Sequence, residues 1–247
     1  MFKQLLNTLK GVLNKPQPLE IDDPEFPKEE EESMNNYIIN DVKYLSQRDN
    51  KYIDPKSKTN VASVSCFPTS LAMVIDYCLT QLGLNKEAIG CSEKTQIEDY
   101  INRLLDDKQT TIWMKKNTSI LGSWIWKYKK RTIYAVEVYI FNRLMKPLGF
   151  EAKALYNLKY DTVCHLLEQN KLPMVIGGNF KSISNVGGHM NTLVGYNAVG
   201  LKEFIVNDPY GNAFTKYSSS NGAYMNYPSK FYRRKNNKIF CISIKKI

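Results

Sequence analysis

Cys66-Phe-Pro-Thr-Ser-Leu-Ala-Met-Val74 is the stretch that decides how this chain folds. Pro68 suits the first turn of a helix, where its missing N–H removes no hydrogen bond. Leu71, Val74, Ile75 and Cys78 then recur at helical spacing and mark one buried stripe. A thiol thus stands where a helix begins. Unpaired N–H groups and the helix dipole favour negative charge there, which lowers a thiol pKa. Taken alone, a free cysteine is more often inert packing than a nucleophile.

Downstream the pattern changes. Residues 92–107 read as a second helix, with Thr95-Gln-Ile-Glu98 as a capping box and Ile97, Ile101, Leu104 and Leu105 as the apolar face. Residues 132–147 read as a third, ended by Pro147 and Gly149, and 160–170 as a fourth. A strand is expected at 150–156. Short apolar or alternating runs follow at 172–176, 190–196, 204–207 and 239–244, bounded by Gly, Pro and Asn. Helices come first and strands later. That order predicts an α+β domain, with an N-terminal helical half and a C-terminal, mostly antiparallel sheet.

Upstream, residues 37–46 look extended and 48–65 read as a polar loop. Residues 1–14 place Phe2, Leu5, Leu6, Leu9, Val12 and Leu13 at helical spacing. Residues 15–36 carry four prolines and the run Glu29 to Glu32, the composition of a solvated linker. The expected organisation is an amphipathic helix plus acidic linker over 1–36 and one folded domain over 37–247.

The 247 residues are 43% hydrophobic and 23% charged, enough for one sizeable core. No apolar run approaches the roughly 20 residues of a membrane span. The apolar start is interrupted by Gln4, Asn7, Thr8 and Lys10 and lacks a small-residue cleavage site, so synthesis in the cytoplasm without a cleaved signal is expected. The five cysteines include no Cys-x-x-Cys pair, which argues against a disulfide framework or a zinc site. Asp49, Asn50 and Asp54 lack calcium-loop spacing. No cofactor or metal is expected. Net charge is +10; the first 40 residues carry eight acids and four lysines, leaving +14 on the body. A basic body suits an anionic surface such as a cell wall. No nucleic-acid recognition motif accompanies the charge, so no nucleic acid is expected.

Three further residues give the thiol its company. His189 opens an alternating run after paired glycines in Gly187-Gly-His-Met-Asn-Thr-Leu-Val-Gly-Tyr196. Asp208 lies in Phe204-Ile-Val-Asn-Asp-Pro-Tyr-Gly211, 19 residues later, a length that suits two adjacent antiparallel strands. An imidazole can accept the thiol proton and return it to a leaving amine, and an acid can orient the ring. Neighbours on a strand face opposite sides, so either Asn207 or Asp208 takes that role, not both. Gln47, in Tyr44-Leu-Ser-Gln-Arg-Asp-Asn50, could donate its amide to a developing oxyanion. The other histidine, His165, sits inside a predicted helix beside Leu166 and Leu167.

These four spellings together resemble the papain-fold group related to the bacteriocin-leader (double-glycine) peptidases, including free-standing bacterial and phage members. The similarity runs from residue 42 to about 245, with the middle poorly matched. It implies a papain-like cysteine peptidase fold, with Cys66 as nucleophile, His189 as base, Asp208 as orienter and Gln47 as oxyanion donor. Phe67 follows the cysteine where that group often has Gly or Asn, which would narrow the site. Gln47 stands 19 residues before Cys66, farther than in the leader peptidases, and no fused transporter accompanies the domain. The resemblance therefore implies a cysteine peptidase or amidase, foremost a peptidoglycan-degrading endolysin of bacteriophage type. An intracellular protein-processing peptidase is the second reading. A catalytically inactive polymer-binding module using Trp113, Trp124, Trp126 and the basic stretches 111–131 and 224–238 is the third.

Overall fold

The computed structural model describes residues 35–117, 134–233 and 238–247. The helix expected at 1–14, nearly all of the linker to residue 36, Trp124 and Trp126 lie outside the described residues.

The cysteine-led stretch forms α1, Cys66–Gln81. Its buried surface is wider than one stripe: Phe67 through Ile75 are all buried, as are Cys78 and Leu79. An interior helix of this kind needs apolar partners on several sides. On one side it meets Ile97–Leu105 (α2) and Tyr134–Met145 (α4); on another it lies across the sheet. Ile101, Leu105, Ile140 and Phe141 complete that core with no exposed surface.

The sheet is antiparallel in every described pairing. Its strands are β1 Tyr37–Ile38, β2 Phe150–Leu158, β3 Met174–Asn179, β4 Gly188–Asn197, β5 Glu203–Asn207, β6 Met225–Pro228 and β7 Ile239–Lys246. They run in the order β2-β7-β3-β4-β5-β6, and β1 pairs with the far end of β4 beyond β3. One face packs on α1 and α4; the other packs on Tyr160–Asn170 (α5) and a group of aromatic residues that includes Phe180, Phe204 and Tyr232. This is the α+β arrangement expected from helices preceding strands.

Several boundaries differ from expectation for local reasons. The capping box at Thr95 does not form: Gln96 caps α2 without a side-chain bond, and the Thr95 hydroxyl pairs with Ser92 at 2.8 Å instead. Glu98 is buried, so it does not reach back. An additional helix, α3, spans Lys108–Asn117. It buries only Thr110 and Met114, too few apolar positions to give a helical period. The strand β6 was not expected either; it has four residues. Over 37–46 only Tyr37–Ile38 is strand.

The polar loop 48–65 is moored rather than free. The Asn50 amide donates to the Thr69 hydroxyl of α1 at 3.2 Å and accepts from Asn102 of α2 at 3.1 Å. Asp99 accepts the backbone N–H groups of Lys51 and Tyr52, each at 3.0 Å. Asp54 is occupied by the N–H groups of Lys56 and Ser57. Among the described residues no cluster of His, Cys, Asp or Glu could hold a metal ion, and no helix is long and apolar enough to cross a membrane.

Leu71 lies at the centre of the α1 packing with no exposure. Leu71→Ala should lower stability in urea by about 2–5 kcal/mol, the range for truncating a buried leucine. Leu84→Ala, at a side chain 40% exposed, should change it by less than about 1 kcal/mol.

Candidate active site

Two reciprocal hydrogen bonds set α1, which opens on Cys66, against the strand that carries His189. The Ser70 hydroxyl donates to the Met190 carbonyl, and the Thr192 hydroxyl donates to the Ser70 carbonyl, each at 3.0 Å. They act one turn behind Cys66 and one and three residues after His189. Cys66 is therefore held at the start of β4, partly exposed, while Cys78, Cys91, Cys164 and Cys241 are buried free thiols.

His189 is the second residue of β4 and is 4% exposed. Its Nε2 lies 2.6 Å from Asp208 Oδ1. The other ring nitrogen, Nδ1, is left for the Cys66 thiol, whose charged form the imidazole favours. The Met190 backbone favours the sulfur's charged form as well. Phe180, Tyr217 and Tyr210 stand edge-on around the imidazole at 5.8, 5.9 and 6.4 Å between ring centres. The ring is thereby held in one plane.

Asp208 has no exposed surface, yet its carboxylate is well supplied. Oδ1 accepts from His189 and from the Tyr210 N–H at 3.0 Å; Oδ2 accepts from the Tyr227 hydroxyl at 3.1 Å. Tyr227 is itself fixed by accepting the Ala213 N–H at 2.8 Å. Asn207 turns to the opposite side: its amide donates to the Val42 carbonyl and accepts the Tyr224 N–H. The choice that strand alternation leaves open thus falls on Asp208 as the neighbour of the ring. Gly222 makes the turn possible, since a Cβ there would sit 2.1 Å from the Asp208 carbonyl oxygen.

Gln47 is buried in the 3₁₀ turn Gln47–Asp49. Its backbone N–H donates to the Pro209 carbonyl at 2.8 Å, and its side-chain amide donates to the Ala62 carbonyl at 2.7 Å. Its position is thus between the segment after Asp208 and the turn before Cys66. One amide hydrogen is committed to Ala62; a second remains. Phe67 does not narrow the site, because it points into the core at 1% exposure and packs edge-on against Tyr134 at 5.6 Å. His165 lies on α5, 4.0 Å from Glu168 and away from the thiol.

The electrostatics follow from this geometry. Burial alone would push the Cys66 thiol up, but the His189 hydrogen bond and charge, with the Met190 N–H, bring it below its ordinary value. Burial would lower His189, but the Asp208 carboxylate and the sulfur hold its proton up to about 10. The two shifts point the same way: each favours a thiolate beside an imidazolium over the neutral pair. Such a pair can attack a carbonyl carbon and then protonate a leaving amine. The remaining cysteines, raised by burial, have no such partner.

Sequence reasoning overlooked Tyr227, the Tyr210 N–H and the Met190 N–H. Two are backbone groups with no sequence signature. Tyr227 is one of 16 tyrosines on a strand too short to read.

A profile described as a Peptidase_C39-like family matches residues 39–238, a span that includes all four site residues. No curated protein matches the chain. Fourteen chains among solved structures do. One is the crystal structure of UfSP from C. elegans, at 14% identity and a TM-score of 0.46 over 92% of this chain. The match takes in 36% of that chain, so this protein spans about a third of its length.

Iodoacetamide should alkylate Cys66 selectively in the folded protein. Its rate should rise to a plateau below pH 9, the thiol's ordinary value, and hold until His189 loses its proton near 10. In His189→Ala the rising limb should move to higher pH; an unchanged profile would refute the thiolate–imidazolium pair. Tyr227→Phe should cost about 1–3 kcal/mol in urea unfolding, because it leaves a buried carboxylate oxygen and the Ala213 N–H without their partner.

Proposed function

The chain belongs to the Peptidase_C39-like family of cysteine peptidases, and from that premise we propose that it hydrolyses amide bonds in peptidoglycan, as an endolysin. The observation that carries the chemistry is the Cys66–His189–Asp208 alignment, with its 2.6 Å His189–Asp208 bond and depressed thiol pKa. In this reading the Cys66 thiolate attacks the scissile carbonyl. The Cys66 N–H at the start of α1 and the second amide hydrogen of Gln47 receive the oxyanion. His189 Nδ1–H protonates the departing amine, and Asp208 holds the ring and stabilises its charge. Water, deprotonated by the now neutral imidazole, then attacks the thioester and frees the enzyme.

The choice of substrate rests on charge. The body beyond residue 40 carries +14, and a surface of one sign concentrates a polymer of the other. An anionic wall fits it better than a neutral peptide in free solution. The protein would be made in the cytoplasm and act at the wall.

Digestion of purified sacculi, with the released peptides followed by mass spectrometry, tests the reading. The wild-type protein should release amide-cleavage products. Cys66→Ala and His189→Ala should each lose at least about 10³-fold of that activity while remaining folded. Sacculi left intact by active enzyme would transfer the chemistry to an intracellular protein substrate. Clearing by folded Cys66→Ala would remove Cys66 from the reaction.

A further inference from the structure

A cavity of about 450 Å³ opens on the strands that flank His189. Its position follows from its walls. Gly188 immediately precedes His189, and Gly178 is the cross-strand partner of His189. Tyr134, on the opposite wall, packs against Phe67, the residue after Cys66. The cavity therefore lies along β3 and β4 next to His189, with Tyr134 of α4 as a further wall. Phe231, Tyr232 and Arg233 form its remaining side.

The glycine at this mouth is not there to admit neighbouring backbone. A Cβ on Gly188, or on Gly187 before it, would meet nothing within 4 Å. The missing side chain leaves open volume next to the reacting pair instead. The size suits one substrate residue with its backbone, in the range of small ligand sites. Aromatic rings supply flat apolar walls.

The charge in this cavity is of one sign. Arg233 is the charged residue of its lining among the described residues, with no Asp or Glu beside it there. The guanidinium is exposed, donates to the Ser229 hydroxyl at 3.2 Å, and has no carboxylate partner among the described residues. Lys230 adds a second exposed cation, 5.6 Å above the Phe231 ring. A planar guanidinium at the end of an aromatic slot matches a carboxylate, which it can bind through two parallel hydrogen bonds.

We propose that this cavity is a substrate pocket whose Arg233 end selects a residue bearing a carboxylate. This deepens the peptidase reading above and rests on it. The carboxylate is either an Asp or Glu side chain or a free chain-terminal α-carboxylate; the recognition chemistry is shared.

Binding to the Cys66→Ala protein tests the pocket without turnover. Three hexapeptides, each acetylated at its N-terminus, serve as probes: one with a central glutamate and an amidated end, its glutamine twin, and that twin with a free C-terminal carboxylate. Fluorescence polarisation of labelled versions should give at least one carboxylate peptide a Kd about 10-fold below the neutral twin, a difference of one charged bidentate contact. The arm that gains identifies the source. Arg233→Gln, with Cys66→Ala retained, should abolish the preference without lowering the melting temperature. Equal binding of all three peptides, no binding of any, or a preference that survives Arg233→Gln would overturn the proposal. Hydrolysis by wild-type enzyme with no carboxylate preference would sink the pocket and leave the peptidase reading standing. A carboxylate preference lost in Arg233→Gln, in a wild-type protein that cleaves no amide, would keep the pocket and sink the peptidase reading.

Discussion

A carboxylate with no access to water is tolerated only when donors reach its oxygens, and Asp208 is in that position. Much of the C-terminal half serves the requirement. Pairing of β4 with β5 brings His189 within 2.6 Å. The chain must then turn tightly so that the Tyr210 N–H folds back onto the same carboxylate. A third donor comes from β6 through Tyr227. Even Gly222 belongs to this account, since the Asp208 carbonyl lies where its side chain would be. Removing any one donor leaves a buried charge short of a partner, so these elements stand or fall together.

The same charge organises the thiol. Cys66 sits at a helix start, which favours an anion, yet burial opposes it. What decides the contest is the imidazolium, and the imidazolium exists because Asp208 stabilises it. The helix therefore provides position more than charge. That position depends on apolar packing of α1 and on the paired Ser70–Met190 and Thr192–Ser70 bonds. Electrostatics and packing are carried by different residues, and a change in one need not disturb the other.

This division explains what the sequence made legible. Helix α1 and helix α5 were readable because each buries enough apolar residues at helical spacing, and the β4 and β5 strands because they are short, apolar and bounded by turn residues. The pairing of a helix-opening cysteine with a strand-opening histidine followed. Helix α3 was hidden because its stability lies in a few tertiary contacts, among them Trp113 stacked on Tyr139 at 4.6 Å, and not in a stripe. Strand alternation alone left Asn207 and Asp208 open, and only the family resemblance pointed to Asp208. The choice depends on register, and the β4–β5 ladder shifts register between Leu193 and Gly195. A one-residue slip reverses which side chain faces which side, and nothing local in the sequence announces it. Tyr227 was hidden for a related reason: its role exists only once β6 lies beside β5.

Gln47 shows how a residue can be required before any chemistry is considered. With Arg48 it forms a strut among three segments. Gln47 links the Pro209 carbonyl to the Ala62 carbonyl, and so joins the stretch after Asp208 to the stretch before Cys66. Arg48 reaches the Tyr217 carbonyl and lies 4.8 Å over the Tyr210 ring. It therefore clasps the loop whose Tyr210 N–H supports Asp208. The two side chains act on opposite ends of the candidate site from one short turn. A glutamine suits the first of these positions because a single amide nitrogen can hold Ala62 and keep a second hydrogen for another acceptor. Glutamate, with no amide hydrogen, would face the Ala62 carbonyl with negative charge, and alanine would leave the carbonyl unpaired. The residue type thus follows from the scaffold, and its value to the proposed oxyanion site depends on the hydrogen the scaffold leaves over.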